Sequence, residues 1–320
     1  MSTTEKPIAP EVLSTPWGDV YRQDVSFYCD GTRIAAEIYT PMGDLAPNSS
    51  RPGLVMAQGF GGLKVMNVNV FAQYFASSGF TSLNFDYRGF GDSDGEQWRL
   101  IPDEQVQDIR AAVTFLQNVD GVDPSRIGIY GTSFGGANVI AAAALDDRIK
   151  CTVSSVGFGD GRRWLKSLRR NWEWIEFLER LEKDRVQRVL TGESEQVEPE
   201  EIMVRDPESI ESEKQNRARY AKRAFKLRLR DADAILDFAP ERIASLIAPR
   251  PVLVIAVRDD GLISNDETFG LFENLGEPKE LVWLPTIGHH AVYGGEHLET
   301  VLSAARRWFN SHLRDETAAE

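Results

Sequence analysis

Histidine is scarce in this chain. There are four in 320 residues, and three of them, His289, His290 and His297, fall in the single stretch TIGHHAVYGGEH at 286–297. Cysteine is scarcer still: Cys29 and Cys151, each inside an apolar, strand-like stretch, with no CxxC pair and no cluster with histidine. A zinc centre needs about four such ligands, so the composition argues against a metal and reads the cysteines as buried free thiols of a reducing compartment. Positive charge is in deficit, with 36 Lys and Arg against 49 Asp and Glu, a net charge of -13. That balance argues against nucleic acid or an anionic membrane as the main partner, since both call for a cationic surface. No run of about 18 apolar residues exists to cross a bilayer. The segment MSTTEKPIAPEV lacks the basic and then apolar regions of a secretory signal. A cytoplasmic protein is the expectation, and neither an internal repeat nor a low-complexity tail modifies it.

What is present is an alternation of strands and helices. Residues 20–28 and 32–39 read as a hairpin around CDGT. GLVMAQG (53–59) reads as a buried strand, NVNVFAQYFASSG as a helix stopped by Gly79, and FTSLNFD as a strand. Pro102 opens a helix through Gln117, followed by the strand RIGIYG, the helix ANVIAAAAL and the strand KCTVSSVGF. PVLVIAV, a helix from about Asn265, KELVWLP and a helix from Glu296 complete the series. This order predicts an α/β fold: a mostly parallel central sheet, antiparallel at its N-terminal strands, with helices on both faces. Between KCTVSSVGF and PVLVIAV the composition changes to dense Arg, Lys and Glu with few strand formers. Residues 159–238 therefore read as a helical cap inserted into a core made of 1–158 and 239–320. Its basic runs, GRRWLKSLRR and RARYAKRAFKLRLR, read as solvated helix faces, with an anion site as the alternative.

The segment RIGIYGTSFGG carries the chemistry. A strand runs into Gly131-Thr132-Ser133-Phe134-Gly135 and a helix follows, the G-x-S-x-G pattern in the context of a nucleophile elbow. Side chains at 131 and 135 would strike neighbouring backbone in so sharp a turn. Ser133 is expected in a strained conformation at a helix N-terminus, where amides favour developing negative charge.

With that segment the chain resembles the α/β-hydrolase superfamily over nearly its whole length. DGTRIAAEIYTP, QGFGG, DYRGFGDSDG, GTSFGG, PVLVIAVRDDGLIS and IGHH stand in the superfamily's order. The first two look most like the dienelactone-hydrolase-like branch, with X-Pro-dipeptidyl-peptidase-like acyl esterases also close. The resemblance implies a Ser, Asp, His order. It places the acid just before the small apolar segment GLIS, at Asp260, with Asp160 and Asp259 as alternatives. It aligns Gly288-His289 with the superfamily's Gly-His, making His289 the base, His290 a packing or hydrogen-bonding neighbour and His297 a surface residue. It implies an oxyanion hole from the backbone N–H groups of Phe60 and Phe134. Gln58 stands where many relatives have histidine, and is expected to tether the loop. Asp86, Arg88 and Asp92 read as structural braces.

Trp164, Trp172, Trp174 and Phe177 of the insertion are candidate walls for an apolar acyl group, with packing of the insertion onto the core as the alternative. The leading expectation is a serine hydrolase that cleaves a carboxylic ester of a small organic substrate through an acyl-enzyme, without cofactor or metal. Acyl transfer or thioester hydrolysis in a biosynthetic pathway, peptidase or amidase action, and a non-catalytic binding role on the same fold are the alternatives. A homodimer is left open.

Overall fold

The computed structural model describes residues 9–43, 45, 49–223, 225–285 and 288–314. Of the expected core, residues 1–8 and 315–320 lie outside these, as does Ile287 of the IGHH motif.

Nine strands form one sheet: β1 (Glu11–Thr15), β2 (Gly18–Cys29), β3 (Thr32–Pro41), β4 (Arg51–Ala57), β5 (Thr81–Phe85), β6 (Val122–Thr132), β7 (Ile149–Ser155), β10 (Val252–Val257) and β11 (Lys279–Leu284). Their order is β1-β2-β3-β5-β4-β6-β7-β10-β11. The hairpin β2–β3 turns at Asp30 and Gly31, both at positive φ. β1 and β2 pair antiparallel, as do β3 and β5, and the strands from β5 to β11 run parallel. The parallel strands are the apolar runs of the sequence because helices cover both their faces and leave no side for water. α1 (Val68–Ser77) and α10 (Gly295–Leu313) bury Phe71, Phe75, Leu302 and Phe309 on one face. α2 (Pro102–Leu116), α3 (Phe134–Leu145) and α9 (Asn265–Asn274) bury Ile109, Val113, Val139, Ile140 and Leu271 on the other.

Register places the site. Ala57 of β4 is opposite Gly131 of β6, Thr132 is opposite Ser155 of β7, and Val257 of β10 is opposite Leu284 of β11. The carboxyl ends of these strands thus lie along one edge, where ligands of open α/β sheets bind.

Between β7 and β10 the chain forms α4 (Gly161–Ser167), α5 (Asn171–Thr191), α6 (Pro199–Ile202), α7 (Pro207–Arg219) and α8 (Leu229–Asp237). A two-stranded ribbon joins β8 (Gln196–Val197) to β9 (Leu227–Arg228). The helical reading of this insertion agrees with the observed elements; the ribbon and β1 were not expected. The insertion is fastened by Trp164, whose indole N–H donates to Leu262 O at 2.8 Å and whose ring stacks on Phe158 at 4.4 Å. Phe225 stacks on Trp98 at 4.7 Å, and Arg163 bridges Glu241 and Glu267. Among the described residues no helix is long and apolar enough to cross a membrane.

Candidate active site

Ser133 occupies the turn between β6 and α3 with φ 55° and ψ -124°, a region few side-chain-bearing residues adopt. The flanking glycines make the turn feasible. A Cβ at Gly131 would lie 2.1 Å from Gly135 O, and one at Gly135 would lie 2.4 Å from Ala57 O and 2.5 Å from Gln58 O. These obstacles are backbone and cannot rotate away. Gly135→Ala is therefore expected to lower unfolding free energy by about 1–3 kcal/mol or more, the range for overpacking a filled interior. Chemical denaturation measures this.

The loop after β10 supplies Asp260. Its Oδ1 accepts the backbone N–H of Leu262 and of Ile263, both at 2.8 Å, which fixes the carboxylate and turns Oδ2 toward His289. His289 begins a short 3-10 turn after β11. Its Nδ1 lies 2.7 Å from Asp260 Oδ2 and its Nε2 lies 3.0 Å from Ser133 Oγ. The structure thus brings Asp260, His289 and Ser133, from three separate loops, into one hydrogen-bonded chain with His289 buried. The alternatives for the acid lie elsewhere. Asp160 caps α4 through the N–H of Arg163 at 2.9 Å and contacts Arg242 at 3.1 Å, and Asp259 is exposed.

Burial opposes protonation of His289, but Asp260, with smaller help from Asp206 and Glu208, outweighs it and raises the pKa above the ordinary 6.5. The neutral imidazole needed to accept a proton from Ser133 then appears only at higher pH. The acid limb of kcat/KM is accordingly expected to have its midpoint above pH 6.5, and to move to lower pH in Asp260→Asn. A pH–rate profile of both proteins checks the sign.

His290 behaves differently. Burial, and then the neighbouring His289, push its pKa down to about 4. Its Nε2 is 3.0 Å from Ser209 Oγ and its Nδ1 is 3.4 Å from Ser212 Oγ, so a neutral ring joins this turn to α7. His297 lies beside Glu296 at 3.6 Å, away from the chain of three. No group of three or more His, Cys, Asp or Glu among the described residues is placed to hold a metal.

The loop after β4 lies against the serine: a Cβ at Gly59 would be 3.3 Å from Ser133 Cβ. Gln58 donates from Nε2 to Asn84 Oδ1 at 2.5 Å, and Asn84 donates to Lys64 O at 2.6 Å, which holds the loop. Gly62 N–H closes the turn on Gly59 O at 2.9 Å. Phe60 lines the site cavity. Phe134 is the first residue of α3, where a backbone N–H has no intrahelical acceptor. The two rings meet edge-on at 5.9 Å. Asp86 accepts Lys64 N–H at 2.7 Å and Asp92 N–H at 2.9 Å, while Arg88 pairs with buried Asp108 at 2.7 Å. These groups brace the loops from behind.

Above Ser133 is a cavity of about 70 Å³. The aromatic residues read as its walls are placed elsewhere. Trp164 is buried against Phe158 and the acid loop, Trp172 is 55 % exposed, and Trp174 packs on Phe177, whose ring carries the Arg169 guanidinium at 3.9 Å. The insertion instead contributes Met203, Arg205, Ser212, Glu213, Asn216 and Arg223. Tyr293, which shares a 2.9 Å hydrogen bond with Thr132 Oγ1, also lines it. These mostly polar residues carry no motif. A buried charge within a helical, Arg-rich insertion was the only available signal, and it looks the same as a surface ion pair when read along the chain.

Across residues 30–291 the sequence matches the X-Pro dipeptidyl-peptidase (S15) family. The chain belongs to that family. An uncharacterized 31.7 kDa protein from the traX-finO intergenic region of Escherichia coli is 30% identical over 267 residues, 83% of this chain and 93% of that protein. The polyketide transferase ATR5 of Stachybotrys chlorohalonatus is 29% identical over 305 residues, 92% of this chain and 98% of that one. Among solved structures, the α/β hydrolase GrgF from Penicillium sp. sh18 superposes with a TM-score of 0.74 at 23% identity, covering 91% of this chain and 99% of that one. The fold is the α/β-hydrolase fold, and family and fold together support an enzyme of the α/β-hydrolase type.

Proposed function

We propose that the protein is a serine hydrolase that cleaves a carboxylic ester of a small organic molecule through an acyl-enzyme. The observation that carries this reading is the continuous hydrogen-bonded chain Asp260–His289–Ser133 beneath a cavity lined by Ser133 and His289. Ser133 Oγ attacks the ester carbonyl carbon as His289 Nε2 takes its proton, and Asp260 orients the imidazole and stabilises the imidazolium. The backbone N–H groups of Phe60 and Phe134 donate to the oxyanion. Collapse breaks the ester C–O bond, His289 returns the proton to the departing alkoxide, and water then repeats the sequence to release the acid.

Residues 159–238 act as a cap in this reading. Arg223 donates to Gly61 O in the oxyanion loop. Asp206 and Glu208, at the start of α7, pack against Gly261 of the acid loop and Gly288 of the base loop. The cap thus touches all three loops from above and helps to fix their positions. Because Trp172 lies outside the cavity, Trp172→Ala is expected to leave the kcat/KM ratio of long to short acyl esters within about twofold, whereas a cavity-wall change of one methylene is worth roughly tenfold or more. Kinetics over a p-nitrophenyl ester series measures that ratio.

Acyl transfer is the second reading, favoured by the near full-length likeness to a polyketide transferase. The same acyl-enzyme then passes its acyl group to an alcohol or thiol in place of water. An activity screen across p-nitrophenyl esters and thioesters, with and without acceptor alcohols and with Ser133→Ala as the control, tests both. Turnover of none of them by the unaltered enzyme counts against both readings.

A further inference from the structure

The cap places a cluster of arginines against the cavity. Glu213 accepts from Arg223 at 2.9 Å and 3.1 Å, from Arg205 Nη1 at 3.2 Å and from Arg217 Nε at 3.0 Å. Glu200 accepts from Arg217 at 2.8 Å and lies 3.5 Å from Arg205 Nε, beyond good hydrogen-bonding geometry. Three guanidiniums therefore share two carboxylates, which leaves one positive charge in excess, since arginine does not deprotonate in proteins. Although burial raises a carboxyl pKa, Arg223 and Arg205 hold that of Glu213 below its ordinary range, so its negative charge is already counted.

The deficit falls on Arg205. Its side chain is only 4% exposed, and its Nε and Nη2 are buried with no hydrogen-bond partner among the described residues. Buried N–H donors are nearly always satisfied, and charged ones cost the most when they are not. Arg205 is also a wall of the cavity that Ser133 and His289 line. Neither Trp164 nor the elbow needs this charge, and no step assigned to His289 uses it.

We propose that Arg205 is a specificity-determining residue that binds a carboxylate carried by the substrate in addition to its scissile ester. Nε and Nη2 form one edge of the planar guanidinium, the two-pronged arrangement that matches the two oxygens of a carboxylate. The preferred acyl group is then that of a dicarboxylic acid monoester, its far carboxylate on Arg205 and its ester carbonyl at Ser133. The proposal rests on the ester reading above.

The test compares p-nitrophenyl monoesters of succinate, glutarate and adipate with length-matched neutral p-nitrophenyl alkanoates. The unaltered enzyme is expected to favour the charged ester by at least about tenfold in kcat/KM at one chain length or more, mainly through KM. Arg205→Met is expected to abolish that preference and Arg205→Lys to keep part of it. Free glutarate, but not butyrate, is expected to slow fluorophosphonate labelling of Ser133 in the unaltered enzyme, a readout that needs neither variant nor turnover. Ser133-dependent turnover with no charge preference at any length, or a preference that survives in Arg205→Met, overturns the assignment of Arg205 and leaves the ester reading standing. Absence of Ser133-dependent turnover of every ester removes the ester reading, and this proposal with it.

Discussion

Ser133→Ala and His289→Ala are each expected to lower kcat by at least about a thousandfold, with circular dichroism and an unfolding midpoint that match the unaltered protein. The size follows from the chemistry. A serine hydroxyl is a poor nucleophile at neutral pH, and among the described residues the base beside it is His289, with Nε2 at 3.0 Å. Without the hydroxyl no acyl-enzyme forms. Without the imidazole, neither proton transfer has a carrier. The double variant is expected to be little worse than either single one, because residues that act as a unit are not additive. His290→Ala is the informative neighbour. It loses the Ser209 and Ser212 contacts to α7, so its cost is expected in thermal stability, with kcat reduced by less than about tenfold. A dead His290→Ala beside an active His289→Ala exchanges their roles.

Asp260→Asn is expected to have an effect of comparable size, a fall in kcat on the order of ten-thousandfold, as when the orienting acid of such a chain is made an amide. The amide can still accept the Leu262 and Ile263 N–H groups through its oxygen, so the loop keeps its shape. What remains to face His289 Nδ1 is then an NH2 group. That donor favours the tautomer with the proton on Nε2, the atom that must accept from Ser133. Asp160→Asn is the matched control. Its change lies at the α4 cap, and the expected cost is at most about 2 kcal/mol of stability. Steady-state kinetics on the two variants distinguishes the positions, and loss of activity in Asp160→Asn alone reassigns the acid.

The parallel strands were legible because they are buried stretches rich in apolar residues, LVMA in β4, IGIY in β6 and VLVIAV in β10, while β7 is buried too but ends in two serines. The elbow was legible because GTSFGG records its own steric limits, with two glycines where any Cβ meets backbone. β1 left no such trace. EVLST is short, half polar and bounded by prolines, and the edge is held by pairing with β2 and by the ion pair of Glu11 with Arg22. β6 begins at Val122, earlier than RIGIYG suggests, because the irregular Asp123-Pro124-Ser125 segment precedes the apolar run. The choice among Asp160, Asp259 and Asp260 depended on a family pattern, since only the tertiary fold decides which carboxylate faces the imidazole.

The cap is the part least readable in one dimension. Its tryptophans made a helical stripe, and such a stripe reports burial without saying against what. Trp164 is buried on the core and Trp172 faces outward. The residues that enclose the cavity, Arg205, Glu213 and Arg223, resemble the solvated ion pairs around them in every local respect. Their difference is burial by a distant part of the chain, set by how α7 lies across the loops that carry Ser133 and His289.

In the proposed chemistry Ser133, activated by His289, takes the acyl group. The most direct measurement is mass spectrometry of the intact protein and its peptides after brief exposure to a p-nitrophenyl ester, with acid quenching. One added acyl mass is expected on the peptide that contains Gly131-Thr132-Ser133-Phe134-Gly135, absent in Ser133→Ala and strongly slowed in His289→Ala. Turnover of the ester with no adduct on that peptide, or an adduct that persists in Ser133→Ala, contradicts it.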